Sequence, residues 1–501
     1  MEINNSEYKQ AGYAYLINKF ELNTFPLRHT SLISSNTVHR SILKEKQIED
    51  IYPNKYWPGE SVGDHLEFAL KYDGVNLNCL NLIFSAVNDS DIIEYIQSKP
   101  TGKYARRIWF FYEFLTEKTL PIKDISKGNY TEALEPDLYY TINPGVRIQR
   151  QRIVNNLLGS KEFCPIVRKT KILNKYDTAE LRNMCENIIA NYPPELIKRA
   201  LSYLYNKETK SSFAIENIKP NPSRTEKFIN LLGVAEQEDF FNKNKLIDLQ
   251  NRIVDPRFKD SNYRETQNYV GQTVSYQKEI IHYICPKPDD IHSLMRGLIT
   301  SHQIMKEGNI PAVIHAAITA YGFVFLHPFE DGNGRIHRFL IHNILSLQNL
   351  VPKGLMFPVS AVILKNQTDY DNSLEAFSHP LMQLTEYDLD ETGNMIVLNN
   401  TSEFYKYMDM TIQAEALHDF IISTIQNELT EELDFIVNYD NTKRSIQEVI
   451  DMPDKQIDRF IQFCLQNKGN LSIKKRTTYF SFLTNNELIL LEKAVKSGYK
   501  L

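Results

Sequence analysis

A chain of 501 residues with 42% hydrophobic and 24% charged residues is ordinary globular material, long enough for about three domains with sizeable cores. With 57 basic against 62 acidic residues the formal charge is −5, which excludes a global attraction to nucleic acid or to an anionic membrane surface. The five cysteines, Cys79, Cys164, Cys185, Cys285 and Cys464, lack metal-ligand spacing and suit a reducing, cytoplasmic compartment rather than a disulfide scaffold.

The amino terminus, Met1-Glu-Ile-Asn-Asn-Ser-Glu, has neither a basic start nor an apolar run, so no signal peptide is expected. To about residue 190, helical patterns such as Arg106 to Leu115 alternate with turn-like breaks such as Asn143-Pro-Gly145, predicting a helical N-terminal domain over residues 1–190. Trp109 reads as core, and Arg147, Arg150 and Arg152 read as a solvated or salt-bridged face. Pro193-Pro-Glu195 opens a helix with Leu196, Ile197, Ala200, Leu201 and Leu204 on one stripe. That helix leads into Ser211-Ser-Phe-Ala-Ile-Glu-Asn217, where Ser212 and Glu216 fall one helical turn apart on a shared face. Helix-end chemistry is the plain alternative, although a capping box sets the acid three residues after the serine, not four.

Further on, Asn268 to Val274 and Glu279 to Cys285 flank a short polar stretch and end in Pro286-Lys-Pro288, the pattern of a β-hairpin. Residues 310–329 carry no Asp, Glu, Lys or Arg. Pro311, His315, Tyr321, His327 and Pro328 make a buried central helix the better reading than a membrane span.

The segment His327-Pro-Phe-Glu-Asp-Gly-Asn-Gly-Arg-Ile-His-Arg338 carries the chemistry. Val313 to Leu326 has helix length, and Phe339-Leu-Ile-His-Asn-Ile-Leu-Ser resumes helical periodicity, so the segment bridges two helices and the second starts near Asn333. A helix start leaves backbone N–H groups unpaired, and Gly332 and Gly334 allow Gly-Asn-Gly to turn them inward around a phosphate. Arg335 and Arg338, three apart, share a helix face and can both reach phosphate oxygens. Asp331, just ahead of the cradle, is placed to hold Mg²⁺ with one carboxylate plus phosphate oxygens and water. His327 can take a proton near neutral pH.

This stretch resembles the signature of Fic-domain proteins, His-x-Phe-x-Asp-Gly-Asn-Gly-Arg-x-x-Arg, and meets every fixed position. The resemblance implies transfer of AMP from Mg-ATP to a Ser, Thr or Tyr hydroxyl of a protein, the chain itself included. It makes His327 the general base, Asp331 the Mg²⁺ ligand, Gly332, Asn333 and Gly334 the anion hole, and Arg335 and Arg338 the outer-phosphate contacts. Phe329 joins the nucleotide-site residues as a fixed position of the pattern. Gly-Asn-Gly-Arg, rather than the lysine-containing variant of phosphate-transferring relatives, favours nucleotidyl transfer.

Upstream, Ser212 to Asn217 is similar to the family's inhibitory signature, Ser/Thr-x-x-x-Glu-Gly/Asn, which implies that Glu216 pairs with Arg338 and that the inhibitory helix precedes the core. The hairpin at about 268–284 would be the flap that holds a target peptide by strand pairing. Tyr370-Asp-Asn-Ser-Leu-Glu-Ala-Phe-Ser378 resembles the helix near the adenine pocket but departs from its pattern at Asp371 and Ser378. Tyr370 is therefore either a base contact or plain core.

In the tail, Ser445 to Ile450 and Lys455 to Cys464 read as two helices about a turn, and Leu471 to Phe482 as a hairpin, together a winged-helix-like domain. Residues 441–501 hold eleven Lys or Arg against six Asp or Glu. Asp454 and Asp458 beside Lys455 and Arg459 make a poor DNA face, so packing or homo-oligomerisation is favoured over DNA binding.

The expected architecture is mainly α: a helical N-terminal domain at 1–190, an inhibitory-helix region at 191–255, a Fic-type helical core with a β-hairpin flap at 256–400, and a helix with a winged-helix-like domain at 401–501. Two alternatives stay open, a de-AMPylase using the same site and a winged-helix regulator in which the core senses nucleotide.

Overall fold

The computed structural model describes residues 8–35, 38–44, 47–275 and 278–501. It is mostly helical and divides into two compact units, each discontinuous in sequence.

One unit comprises Met1–Thr178, Gly233–Gln348 and Asn366–Asp419. Its N-terminal part departs from the expected all-helical reading by opening on a sheet. Strands Tyr8–Ala11, His29–Ser34, Gln47–Pro53 and Arg40–Lys44 lie side by side in that order, with His29–Ser34 and Gln47–Pro53 parallel and the outer pairs antiparallel. Histidine, serine and threonine dominate His29–Ser34, whose burial does not alternate, so the two-residue period that reveals a strand is absent. The three strands of a second sheet are only two or three residues long, too short to show any period.

Helices follow. Val62–Phe68 and Leu77–Ala86 are capped by Ser61 and Asn76, whose side chains accept from the N–H groups of Asp64 and Cys79. Together with Asp89–Ser98 and Lys103–Thr116 they bury Leu66, Leu80, Ile83, Ile108, Trp109 and Phe111 in one core. Trp109 is core, as expected. Arg150 packs 4.9 Å from the Trp109 ring and bonds Glu113, while Arg152 spends its donors on the carbonyls of Ile125, Ser126 and Gly128. Arg150 and Arg152 are structural.

The same unit holds helices Pro288–Glu307, Ala312–Leu326 and Asn333–Leu347. Ala312–Leu326 is apolar on all sides and buried along almost its whole length, which is what a central helix requires. Among the described residues no helix is long and apolar enough to cross a membrane.

The other unit comprises Ala179–Leu232, Asn349–Lys365 and Phe420–Leu501. Its helix Pro194–Ile215 buries Leu196, Ala200 and Leu204 and packs on Val359–Lys365 and Leu429–Val449. Glu208 is fully buried there and accepts from the Ser360 N–H at 2.8 Å and from the Ser360 hydroxyl. Lys365 bonds Glu428 at 2.7 Å and Glu431 at 3.0 Å, and Lys207 bonds Glu428 and Glu432.

The tail corrects the winged-helix reading. Leu429–Val449 and Asp454–Leu465 are helices, but the expected hairpin is a third helix, Ile473–Tyr479, followed by a fourth, Asn485–Tyr499. Ser472 caps the third helix, and the hydroxyls of Thr477 and Thr478 bond back to the carbonyls of Ile473 and Lys474. The Ser472 cap favours the helix, and the threonine hydroxyls find partners on its own carbonyls.

Candidate nucleotide-transfer site

Helix Ala312–Leu326 stops at His327, which turns left-handed (φ 48°, ψ 58°) while its N–H still bonds the Phe323 carbonyl at 2.9 Å. The ring Nδ1 of His327 lies 3.1 Å from the Val324 carbonyl oxygen. A carbonyl only accepts, so Nδ1 carries the proton and Nε2 is the basic nitrogen of the ring.

The next helix begins at Asn333 as expected, with Gly332 as its N-cap at φ 92°. A side chain is strained at that φ, and a Cβ on Gly332 would also meet Val254 Cγ1 at 2.9 Å. Left-handed Gly332 followed by helical Asn333 brings successive N–H groups to one side, at a helix end whose first-turn amides lack intrahelical partners. The loop is closed by Asn333 itself. Its side-chain oxygen accepts from the Phe329 N–H at 3.1 Å and its side-chain nitrogen donates to the Phe329 carbonyl at 2.7 Å. Phe329 is fully buried against Tyr263 and Phe323, with ring centroids 5.7 and 6.2 Å away. The side chains of Phe329 and Asn333, both expected in the nucleotide site, shape the loop in this way.

Arg335 and Arg338 are both buried under the motif, at 0% and 2% exposure. Arg335 donates to Asp331 Oδ1 at 2.6 Å, a contact the sequence reading did not foresee because it assigned the two residues separate ligands. Asp331 keeps 42% of its side chain exposed. Asp260 lies nearby, its carboxyl raised above the ordinary range by burial and then by the charges of Glu330 and Asp331. Among the described residues no cluster of three His, Cys, Asp or Glu could cage a metal. A half-exposed single carboxylate completed by substrate phosphates and water is the donor set that suits Mg²⁺ rather than a structural cation.

Residues distant in sequence hold the backbone of this loop. The Tyr283 hydroxyl donates to the Phe325 carbonyl, the Arg264 N–H donates to that of Pro328 at 2.8 Å, and the Gln250 side chain reaches that of Asp331 at 3.4 Å. Sequence reasoning missed all three, since nothing in their local pattern distinguishes them.

The hairpin is present as Tyr269–Ser275 paired antiparallel with Lys278–Ile284, from Tyr269 opposite Ile284; its tip, 276–277, lies outside the described residues. It is a two-stranded sheet, with Val270 and Ile280 exposed. Tyr370 is brought to helix Gln367–Leu384, 5% exposed, with its ring 6.0 Å from His337 and 6.4 Å from Tyr321.

Ser212, Glu216 and Asn217 belong to the other unit. Ser212 is buried near the end of helix Pro194–Ile215, Glu216 is the C-cap, and Asn217 turns left-handed at φ 55° while the Ile218 N–H closes on the Phe213 carbonyl at 3.0 Å. Glu216 is therefore the end residue of its helix and not part of the last full turn.

The family described as Fic/DOC matches residues 240–345. Residues 240–345 are thus similar to a Fic domain. The chain is similar to a protein adenylyltransferase Fic of Culex quinquefasciatus, 32% identical over 125 residues that make up 24% of this chain and 22% of that relative. It is similar to another of the same name from Drosophila grimshawi, 27% identical over 198 residues, 38% of this chain and 36% of that relative. The chain thus spans between a fifth and two fifths of the length of these curated relatives. Among solved structures it is similar to a Fic family protein from Desulfovibrio desulfuricans G20, at 18% identity and a TM-score of 0.37, covering 66% of this chain and 85% of that one.

Proposed function

We propose that the Fic domain transfers AMP from ATP to a hydroxyl of a protein, and that Glu216 restrains it. The observation that supports this most directly is the 3.1 Å contact of His327 Nδ1 with the Val324 carbonyl, which leaves Nε2 as the basic nitrogen one short loop ahead of the helix that starts at Asn333. In the proposed step the target hydroxyl oxygen forms a bond to the α-phosphorus, the bond from that phosphorus to the α–β bridging oxygen breaks, pyrophosphate leaves, and the hydroxyl proton passes to His327 Nε2. The backbone amides at residues 332–335 would cradle the phosphates, and Arg335 and Arg338 would neutralise their charge. Mg²⁺, held by Asp331, would withdraw charge from the phosphate oxygens. Arg335 already orients that carboxylate.

The hairpin would register a target peptide through main-chain hydrogen bonds, which suit many sequences and leave one side chain facing the base. Pairing of Glu216 with Arg338 would occupy the guanidinium needed for the outer phosphate. An Arg–carboxylate bond of this kind stabilises by roughly 1.5–3 kcal/mol, so Glu216→Gly should raise the rate about 10- to 100-fold.

Full-length protein incubated separately with α-labelled and γ-labelled ATP tests the reaction class. Label should enter protein from the α position only, and His327→Ala should lower that incorporation by about 10²- to 10⁴-fold. Incorporation from the γ position alone would establish phosphate transfer and remove the proposal. An unchanged rate in Glu216→Gly would remove the restraint while leaving the reaction intact.

A further inference from the structure

One buried side chain joins the base of the hairpin to the residue that carries the base. Arg264 is 4% exposed, and its guanidinium spends its donors on three backbone carbonyls: Nε on His327 at 2.8 Å, Nη1 on Thr266 at 2.6 Å and Nη2 on Pro286 at 2.6 Å. Its own N–H adds the Pro328 carbonyl at 2.8 Å. Thr266 and Pro286 are the two feet of the hairpin, one just before Tyr269 and one just after Ile284. The same feet are also closed by the Cys285 N–H on the Asn268 carbonyl at 3.1 Å and by the Gln267 side chain on the Cys285 carbonyl at 2.7 Å.

We propose that Arg264 is a positioning residue that locks the hairpin and His327 into one rigid frame, so that a peptide seated on the hairpin is held at a fixed distance from the base. This rests on the reading of the hairpin as the target-holding element and of His327 as the base. The chemistry of the side chain favours such a role. A guanidinium is planar, with five donors in a fixed fork, so three carbonyls bonded to it cannot shift independently. The charge also sits against the carbonyl end of helix Ala312–Leu326, where a cation is favoured. Burial pulls the guanidinium below its ordinary range, against the opposing influence of Cys285 and Glu330. Lysine, a point charge on a flexible stem, could satisfy one of these carbonyls but could not tie three together. A displacement of the acceptor from the base by about 1 Å is enough to cost about 10²-fold in rate.

The test uses full-length protein carrying Glu216→Gly, scored by self-modification, with Arg264→Lys and Arg264→Met added in turn. Both substitutions should lower kcat by about 10²-fold while the KM for ATP moves by less than about threefold, because the nucleotide cradle does not pass through Arg264. Amide hydrogen exchange, read without any catalysis, should rise together at residues 266–272, 280–286 and 325–329 and stay unchanged at 429–449. A loss expressed only in the KM for ATP would overturn the proposal. Faster exchange at the hairpin or at the loop alone, or across the whole chain, would overturn it too. If the Glu216→Gly parent transfers no AMP, the functional reading fails, but the paired exchange response still decides whether Arg264 couples the two elements.

Discussion

At the scale of single residues, the motif from His327 to Arg338 shows how one short stretch divides its labour. His327 is turned out of its helix by a left-handed backbone and has its proton fixed on Nδ1 by the Val324 carbonyl. The glycine and charged positions were legible in the sequence because their chemistry is intrinsic: Gly332 sits at a φ that favours glycine, and an arginine pair three apart shares a helix face. Phe329 and Asn333 were not legible in the same way. Their types suggest ligand contact, and only the fold shows that the Asn333 side chain also returns to bond the Phe329 backbone of its own loop. Asn333→Ala should therefore leave a buried Phe329 N–H without its acceptor and cost about 1–3 kcal/mol, measurable as a lower denaturant midpoint with the slope unchanged. Gly332→Ala combines the φ penalty with a 2.9 Å approach to Val254 and should abolish transfer; restoring space with Val254→Ala should not rescue it, because the backbone strain remains. Rescue by that second change would show that space alone was limiting.

At the scale of elements, helix boundaries were read well where capping and breaking residues are strong. The start at Asn333, the end at Leu326 and the opening by Pro193-Pro194 all follow from local backbone chemistry. The misreadings fall where local signals conflict. Leu471 to Phe482 has a strand-like composition, yet Ser472 caps a helix at Ile473–Tyr479. The N-terminal sheet escaped notice because His29–Ser34 and Gln47–Pro53 are half polar and pair in parallel, a long-range register that local periodicity does not encode. The helix that ends at Glu216 is anchored by Glu208 on Ser360, a contact between residues 152 positions apart. Glu208→Ala should orphan the buried Ser360 N–H and hydroxyl at about 1–3 kcal/mol each. Limited proteolysis should then cut first within residues 194–232, and cutting that begins elsewhere would argue against this anchor.

At the scale of the whole molecule, neither compact unit is a continuous piece of chain, and each gathers three separated segments. That interleaving is invisible to composition and turn signals, which mark linkers only where the chain leaves a domain once. Buried histidines give the Fic-containing unit a pH response. Burial pushes His337 and His315 down to about 3 and His65 to about 4, so all three stay neutral when folded, whereas the unfolded chain protonates them near pH 6.5. Between about pH 6.5 and 4 the unfolded state thus binds more protons, and stability falls on acidification. Asp73, raised to about 7 by burial, opposes this with a single proton of the other sign. The melting midpoint should drop from pH 6.5 to about 4.5, and His337→Gln should flatten that drop; an identical slope in the variant would assign the response to other groups. The central claim is AMP transfer restrained by one glutamate, and intact-mass spectrometry of the Glu216→Gly protein after incubation with Mg-ATP tests it most directly. The account predicts a mass gain of one AMP, absent when His327→Ala is added; a gain of phosphate alone, or no gain under any condition, would contradict it.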